Sequence, residues 1–162
     1  MIARTRTPLA TGYRRAMVAG ALLCALLIAA AYQRPAAPFD EIRIRVGGQP
    51  LSVEVADTVE RRALGLSFRR HLADDAGMLF VFPEPRIAGF VMYDTPIDLD
   101  IGFFDDNGAL FEIQAMRAHD TASRYVPAAP ARYALEVNRG WFDGHGLGAG
   151  AALALPRVLA AD

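Results

Sequence analysis

The stretch Gly89–Phe104, GFVMYDTPIDLDIGFF, carries three carboxylates, Asp94, Asp98 and Asp100, in an otherwise apolar run. A carboxylate in such a setting can move a proton, hold a cation or anchor an arginine. The two-residue period of a strand puts Asp98 and Asp100 on one face and Leu99, Ile101 and Phe103 on the other. If the apolar face is the core, both carboxylates stand in solvent at the start of the strand, with Asp98 stabilising the turn before it. If Asp100 is instead partly buried it needs a cation, because an unpaired buried charge is costly, and Arg61 is the candidate partner. The third reading makes Asp100 a binding or catalytic group. Asp94 is placed to cap the turn before Pro96.

Other chemistry-bearing residues form no recognisable constellation. His71, His119 and His145 lack the paired helical spacing of a zinc site. The serines Ser52, Ser67 and Ser123 sit in no nucleophile elbow. The run GHGLGAG, 144–150, lacks the Lys-Ser/Thr ending of a phosphate loop and reads as turn structure. Trp141 beside Phe142 reads as an exposed anchor or the edge of a pocket. No catalytic residue, metal site or cofactor is expected from these spacings.

The elements that must position these residues are short. IRIRV (42–46) and LSVEV (51–55) alternate apolar and polar residues around GGQP, a hairpin with one buried face. DTVERRALGL changes period, and Asp57 with Glu60 three residues on predicts a capped helix over about 58–66. GMLFVF (77–82), closed by Pro83, predicts a buried strand, and FVMY (90–93) another. LDIGFF (99–104) and ALFEIQAM (109–116) flank DDNG, whose Asn107-Gly108 suits a tight turn. RYALEV (132–137) and AALALPRV (151–158) complete the set, with glycine-punctuated loop and one helical turn between them. About seven short strands and one or two short helices predict a mostly β or α+β domain, a compact, barrel-like, antiparallel-rich sheet with a helix at one side.

Length and charge bound the setting. The 162 residues suit a single domain over 41–162, preceded by a Pro/Ala linker at 33–40. Residues 1–32 combine Arg4, Arg6, Arg14 and Arg15 with an uncharged apolar run, the pattern of a signal peptide or, if uncleaved, of an N-terminal membrane anchor. Either way the remainder is expected to be exported and periplasmic, since the arginines stay inside. Leu23 before the single cysteine, Cys24, argues against lipid attachment there. There is no lysine, and beyond residue 32 thirteen arginines face eighteen acids. That balance argues against nucleic acid as a partner. Membrane contact is expected only through the N-terminal segment, and any other partner is a small ligand or an envelope protein.

Four segments in order, VEVADTVERRALGLSFRRHL, GMLFVF, FVMYDTPIDLDIGFFDDNG and YALEVNRGWFDGHGLGAG, resemble the DUF192 (UPF0127) family. Matching positions include Thr58, Arg61, Gly65, Gly77, Met78, Met92, Thr95, Asp100, Glu136 and Gly140. Ser67 stands where the family pattern has Met, Val91 where it has Trp, and Tyr93-Asp94 where it has Lys-Asn. The resemblance implies a β-rich domain and brings no established activity. The candidate pocket is a polar cleft of Arg61, Thr95, Asp100 and Glu136 beside Met78 and Met92. There Arg61 would hold an anionic or carbonyl group, and Thr95 and Glu136 would supply hydrogen bonds. The expected function is a non-enzymatic binding or accessory domain of the cell envelope. The alternatives are an enzyme using Asp100 and Glu136 as acid and base, and a structural subunit that docks through the Trp141 region.

Overall fold

Alternating apolar residues and well-placed turns build one curled sheet. The computed structural model describes residues 39–162, which fall within one compact unit, Pro38–Asp162. The leader 1–32 and most of the linker lie outside the described residues. No described helix is long and apolar enough to cross a membrane.

The strands are β1 (Asp40–Val46), β2 (Gln49–Ala56), β3 (Ala76–Arg86), β4 (Leu99–Phe104), β5 (Leu110–Met116), β6 (Ala131–Asn138) and β7 (Leu153–Ala154). Two short helices, α1 (Val59–Leu64) and α2 (Trp141–Gly144), join them. The sheet runs β5-β4-β6-β3-β2-β1-β7. Only β2 and β3 pair in parallel, and α1 lies in the crossover between them. The two edges of the sheet approach each other: Ala109 bridges Ala152, and Leu110 N–H donates to the Ala151 carbonyl at 2.9 Å. The result is a half-barrel.

Both predicted hairpins are present. Gly47 and Gly48, at φ 55° and 89°, turn β1 into β2. Between β4 and β5 the Asp105 carboxylate accepts from Asn107 N–H and Ala109 N–H, and Gly108 takes φ 76°.

Strand alternation divides the apolar residues into two clusters. One face carries Val53, Val55, Leu79, Val81, Leu135 and Val137 and packs with Trp141 and Phe142. The other carries Met78, Phe80, Phe82, Leu99, Ile101 and Phe103 and packs with Leu66 and Met92. Trp141 is therefore a core residue, not an exposed anchor, which removes the proposed docking region. Gly102 leaves room for this packing: a Cβ there would come within 2.5 Å of the Phe142 ring.

Five local expectations are corrected. The N-cap of α1 is Thr58, one residue later than Asp57, with its Oγ1 accepting from Arg61 N–H at 3.2 Å. The helix is also shorter than 58–66 and ends at Gly65, whose φ of 51° favours glycine. β3 runs through Pro83 and Pro85, because the β2 ladder stops at Phe80 and the β6 ladder is interrupted between Val81 and Arg86, so no partner needs their missing donors. The apolar run 90–93 is loop: Phe90 makes one bridge to Tyr125, while Met92 is buried in the second cluster. The C-terminal strand shrinks to Leu153–Ala154.

Candidate functional site

Glu136 lies in the middle of β6, paired with Met78 on β3 and Ile101 on β4, in one of the most central places the sheet offers. It is 5% exposed. Among the described residues no hydrogen bond or ion pair reaches its carboxyl, and burial alone pushes it up to about 8. Among the described residues no fully buried polar side-chain atom is left without a partner, so the exposure Glu136 retains lies on its carboxyl oxygens. Those oxygens face a cavity of about 530 Å³ that Glu136 helps to line.

The cavity sits between α1, the end of β3 and the loop 87–98. Its apolar walls are Leu66, Ala63, Phe80, Phe82 and Phe90. The rings of Phe80 and Phe90 meet edge to face, 5.0 Å between centroids, and Phe82 stands 6.5 Å from Phe90. Thr95 is the second buried polar group of the lining, its hydroxyl donating to the Tyr93 carbonyl at 3.2 Å. Ser67, Val91, Tyr93, Arg62 and Arg86 complete the mouth.

The loop that supplies Thr95 is pinned from both sides. Phe68 N–H donates to the Asp94 carbonyl at 2.7 Å, and His119 N–H to the Thr95 carbonyl at 2.9 Å. Phe68, Asp94 and His119 all hold positive φ, so the backbone on both sides of the mouth is held in conformations that neighbouring contacts must enforce.

The two arginines at the mouth are differently engaged. Arg62 Nη1 donates to the carbonyls of Asp57 and Val81 at 2.6 and 2.9 Å, Nη2 donates to the Asp162 carbonyl, and the guanidinium lies over the Phe82 ring. Arg86 also lies over Phe82, at 5.9 Å from its centroid, and has no carboxylate partner among the described residues.

The structure thus brings together two of the six candidate residues, Thr95 and Glu136, and places Met78 and Met92 in the packed cluster behind them. Both sulfurs are core filling. Arg61 and Asp100 lie elsewhere. The expected Arg61–Asp100 pair does not form: Arg61 binds Asp57 at 2.9 Å and Asp40 at 3.4 Å, a contact across α1 to the start of β1. Asp100 meets Arg139 Nε at 3.2 Å and accepts from Gly140 N–H at 2.7 Å. It is buried, which raises its pKa against the opposing pull of Gly140 and Arg139, and it fixes the turn from β6 into α2.

Nor does Asp100 share a site with Glu136. Asp100 pairs with Val137 and Glu136 with Ile101, so the two carboxyls project from opposite faces of the sheet. Asp98, just outside β4, accepts from Ala118 N–H at 2.7 Å. Both strand-start carboxylates therefore serve the architecture, and the acid at the cavity is Glu136. Among the described residues no group of three or more His, Cys, Asp or Glu side chains is arranged to hold a metal ion. Arg62, Arg86, Ser67 and the three phenylalanines were not expected at a site. Only the position of Phe80 on the same strand face as Met78 carried a signal.

Comparison with known proteins agrees with this architecture. A solved structure from Sinorhizobium meliloti 1021, proposed to be a transcription regulator, is 30% identical with a TM-score of 0.69, covering 74% of this chain and 96% of that one. A protein of unknown function from Novosphingobium aromaticivorans DSM 12444 is 29% identical with a TM-score of 0.67, covering 74% of this chain and 94% of that one. No curated protein matches the chain. The family model DUF192, described as "Uncharacterized ACR", matches residues 42–155, and the chain belongs to that family.

Proposed function

We propose that this DUF192 domain is a non-enzymatic binding protein of the cell envelope, and that the cavity over Glu136 is where it holds a small, largely apolar ligand. The observation that carries the reading is a buried carboxyl with no partner among the described residues, open to a cavity walled by three phenylalanines. Leaving such a group unpaired costs stability, whereas an apolar side chain in its place would add some. A small number of placed polar groups in an apolar cavity is also the usual anatomy of a ligand site. Export is supported by the arginine-rich start and the uncharged run that follows it.

A reaction using Asp100 with Glu136 gains no support, because the sheet separates them. The test is a thermal-melt screen of the purified protein against small apolar amines, alcohols and acids. A ligand at a hundredfold its dissociation constant adds about 2.7 kcal/mol, a rise of several degrees for a domain of this size. The rise is expected in the wild type and is lost or reduced when Ala88→Leu or Ala63→Trp fills the cavity. Stabilisation that survives both filled variants would move the binding site elsewhere. Fractionation of cells expressing the full chain, with sequencing of the mature N-terminus, tests export; recovery of intact chain in the cytosol would overturn it.

A further inference from the structure

Which ligand chemistry suits this cavity follows from the buried carboxyl in it, which has no partner among the described residues. We infer that the pocket takes a small organic monoamine, its ammonium nitrogen at the Glu136 carboxylate and its apolar body against Phe80, Phe82 and Phe90. The inference rests on the reading of the cavity as a binding site and names the class of ligand.

Three observations support it. The Glu136 carboxyl lines the cavity and no described residue neutralises or hydrogen-bonds it, so its ionised form can be paired only by a cation that enters the cavity. Aromatic rings form the walls beside it, and their faces attract an organic cation more strongly in a site that excludes water. The third is the charge at the mouth. Tyr93, Val91 and Ser67 line the opening and add no cation there. The cations that do remain, Arg62 and Arg86, would repel a second positive end, which excludes diamines and polyamines and favours a ligand whose far end is neutral or acidic.

Protonation follows from the same geometry. The other ionisable groups lining the cavity are Arg62 from α1, Arg86 from β3 and Tyr93 from the loop; β4 and β6 contribute none besides Glu136. None of the three alters the Glu136 carboxyl, which burial holds at about 8, so the empty pocket carries a neutral acid at pH 7. An incoming ammonium ion displaces that proton to the buffer and leaves a carboxylate–ammonium pair. Well below pH 8 each further unit of acidity therefore weakens binding about tenfold; well above pH 8 the affinity of a permanently charged ligand is level, whereas a titratable amine loses affinity as it gives up its own proton.

The experiment titrates the purified protein calorimetrically with benzylamine, the permanently charged benzyltrimethylammonium, neutral benzyl alcohol and anionic benzoate, in buffers of different ionisation heat. The expected result is binding of both ammonium probes in preference to the other two, release of close to one proton per site at pH 7, and about a fiftyfold loss for benzyltrimethylammonium from pH 8 to pH 6. Glu136→Gln, verified as folded by its circular dichroism, is expected to lose the preference for ammonium while still binding benzyl alcohol. Tighter binding of benzyl alcohol or benzoate, pH-independent affinity, or an unchanged ammonium preference in Glu136→Gln would overturn the inference and leave the cavity reading standing. Failure of all four probes would overturn the amine inference, and the broader melt screen then decides the cavity reading separately.

Discussion

At the scale of single residues, the carboxylates divide by what surrounds them. Asp98 and Asp100 each accept from a backbone N–H, and Asp100 also has Arg139, so both are structural. Glu136 has neither and is the costly one. Its cost depends on pH in a definite direction. The folded protein holds this proton to about 8, whereas an unfolded chain releases it near 4.5. Between those values the native state binds more protons than the unfolded state, so stability is fully present below 4.5, falls as pH rises, and is level again above 8. The loss over that window is at most on the order of 5 kcal/mol, because the carboxyl is open to the cavity. Glu136→Gln removes the titration, so the variant is expected to gain on the wild type in urea melts from pH 5 to 8.5 and to change little relative to it beyond. Asp100, also raised, titrates in both proteins and cancels in the difference. A wild-type minus variant difference that stays flat across this range would show that Glu136 is charged or solvated in the folded protein.

The same residues show what a sequence can and cannot disclose. Glu136 and Thr95 were recognisable as polar members of a matching pattern. That Glu136 shares a face with Met78 and Ile101 while Asp100 shares one with Val137 depends on strand register, which no single segment contains. The partner of Asp100 differs from the expected Arg61 for a similar reason. Arg61 and Arg139 are equally good cations on paper, and only the turn from β6 into α2 brings Arg139 to the carboxylate.

At the scale of elements, hairpins and helix are legible because their signals are local: alternation, Gly47-Gly48, Asn107-Gly108, and a change of period, although the cap itself is Thr58 and not the expected Asp57. The loop 87–98 is not. Its apolar residues read as a strand, but they are apolar because they cover the second cluster and shape the cavity mouth, with almost no ladder to hold them. β4 shows how tightly the elements constrain one another. Every one of its six residues is buried, and Gly102 is the one that admits the Phe142 ring from α2. Gly102→Ala sets a methyl group 2.5 Å from that ring and about 3.1 Å from Leu110. It is expected to destabilise the protein by about 1–3 kcal/mol, the usual cost of overpacking, measured as a lower urea midpoint at unchanged slope. Gly140→Ala, where nothing lies within 4 Å but φ is 82°, separates strain from crowding: its loss comes from the backbone alone. An unperturbed Gly102→Ala would mean that α2 does not pack on β4 in solution.

At the scale of the whole molecule, the sheet is a shared wall. One face supplies the cluster inside the curl, the other supplies the cluster that floors the cavity, and β3, β4 and β6 contribute to both. Neither cluster can be lost while the other keeps its strands, so the two are expected to unfold together. The protein carries its own probe for this. Its single tryptophan, Trp141, is buried in the first cluster, against Phe142 and His145 at 5.2 and 4.6 Å, and so reports on the side of the sheet away from the cavity. In a urea titration the Trp141 fluorescence transition is expected to coincide with the loss of far-ultraviolet dichroism. A ligand that fills the cavity should raise both midpoints by the same amount, although it touches only the opposite face. Coincident midpoints that move together would establish that ligand binding is felt through the sheet as a unit. A ligand-induced rise in the dichroism midpoint with the Trp141 midpoint left in place would show that α1 and the loop 87–98 form a cover that orders and melts independently of the half-barrel beneath it.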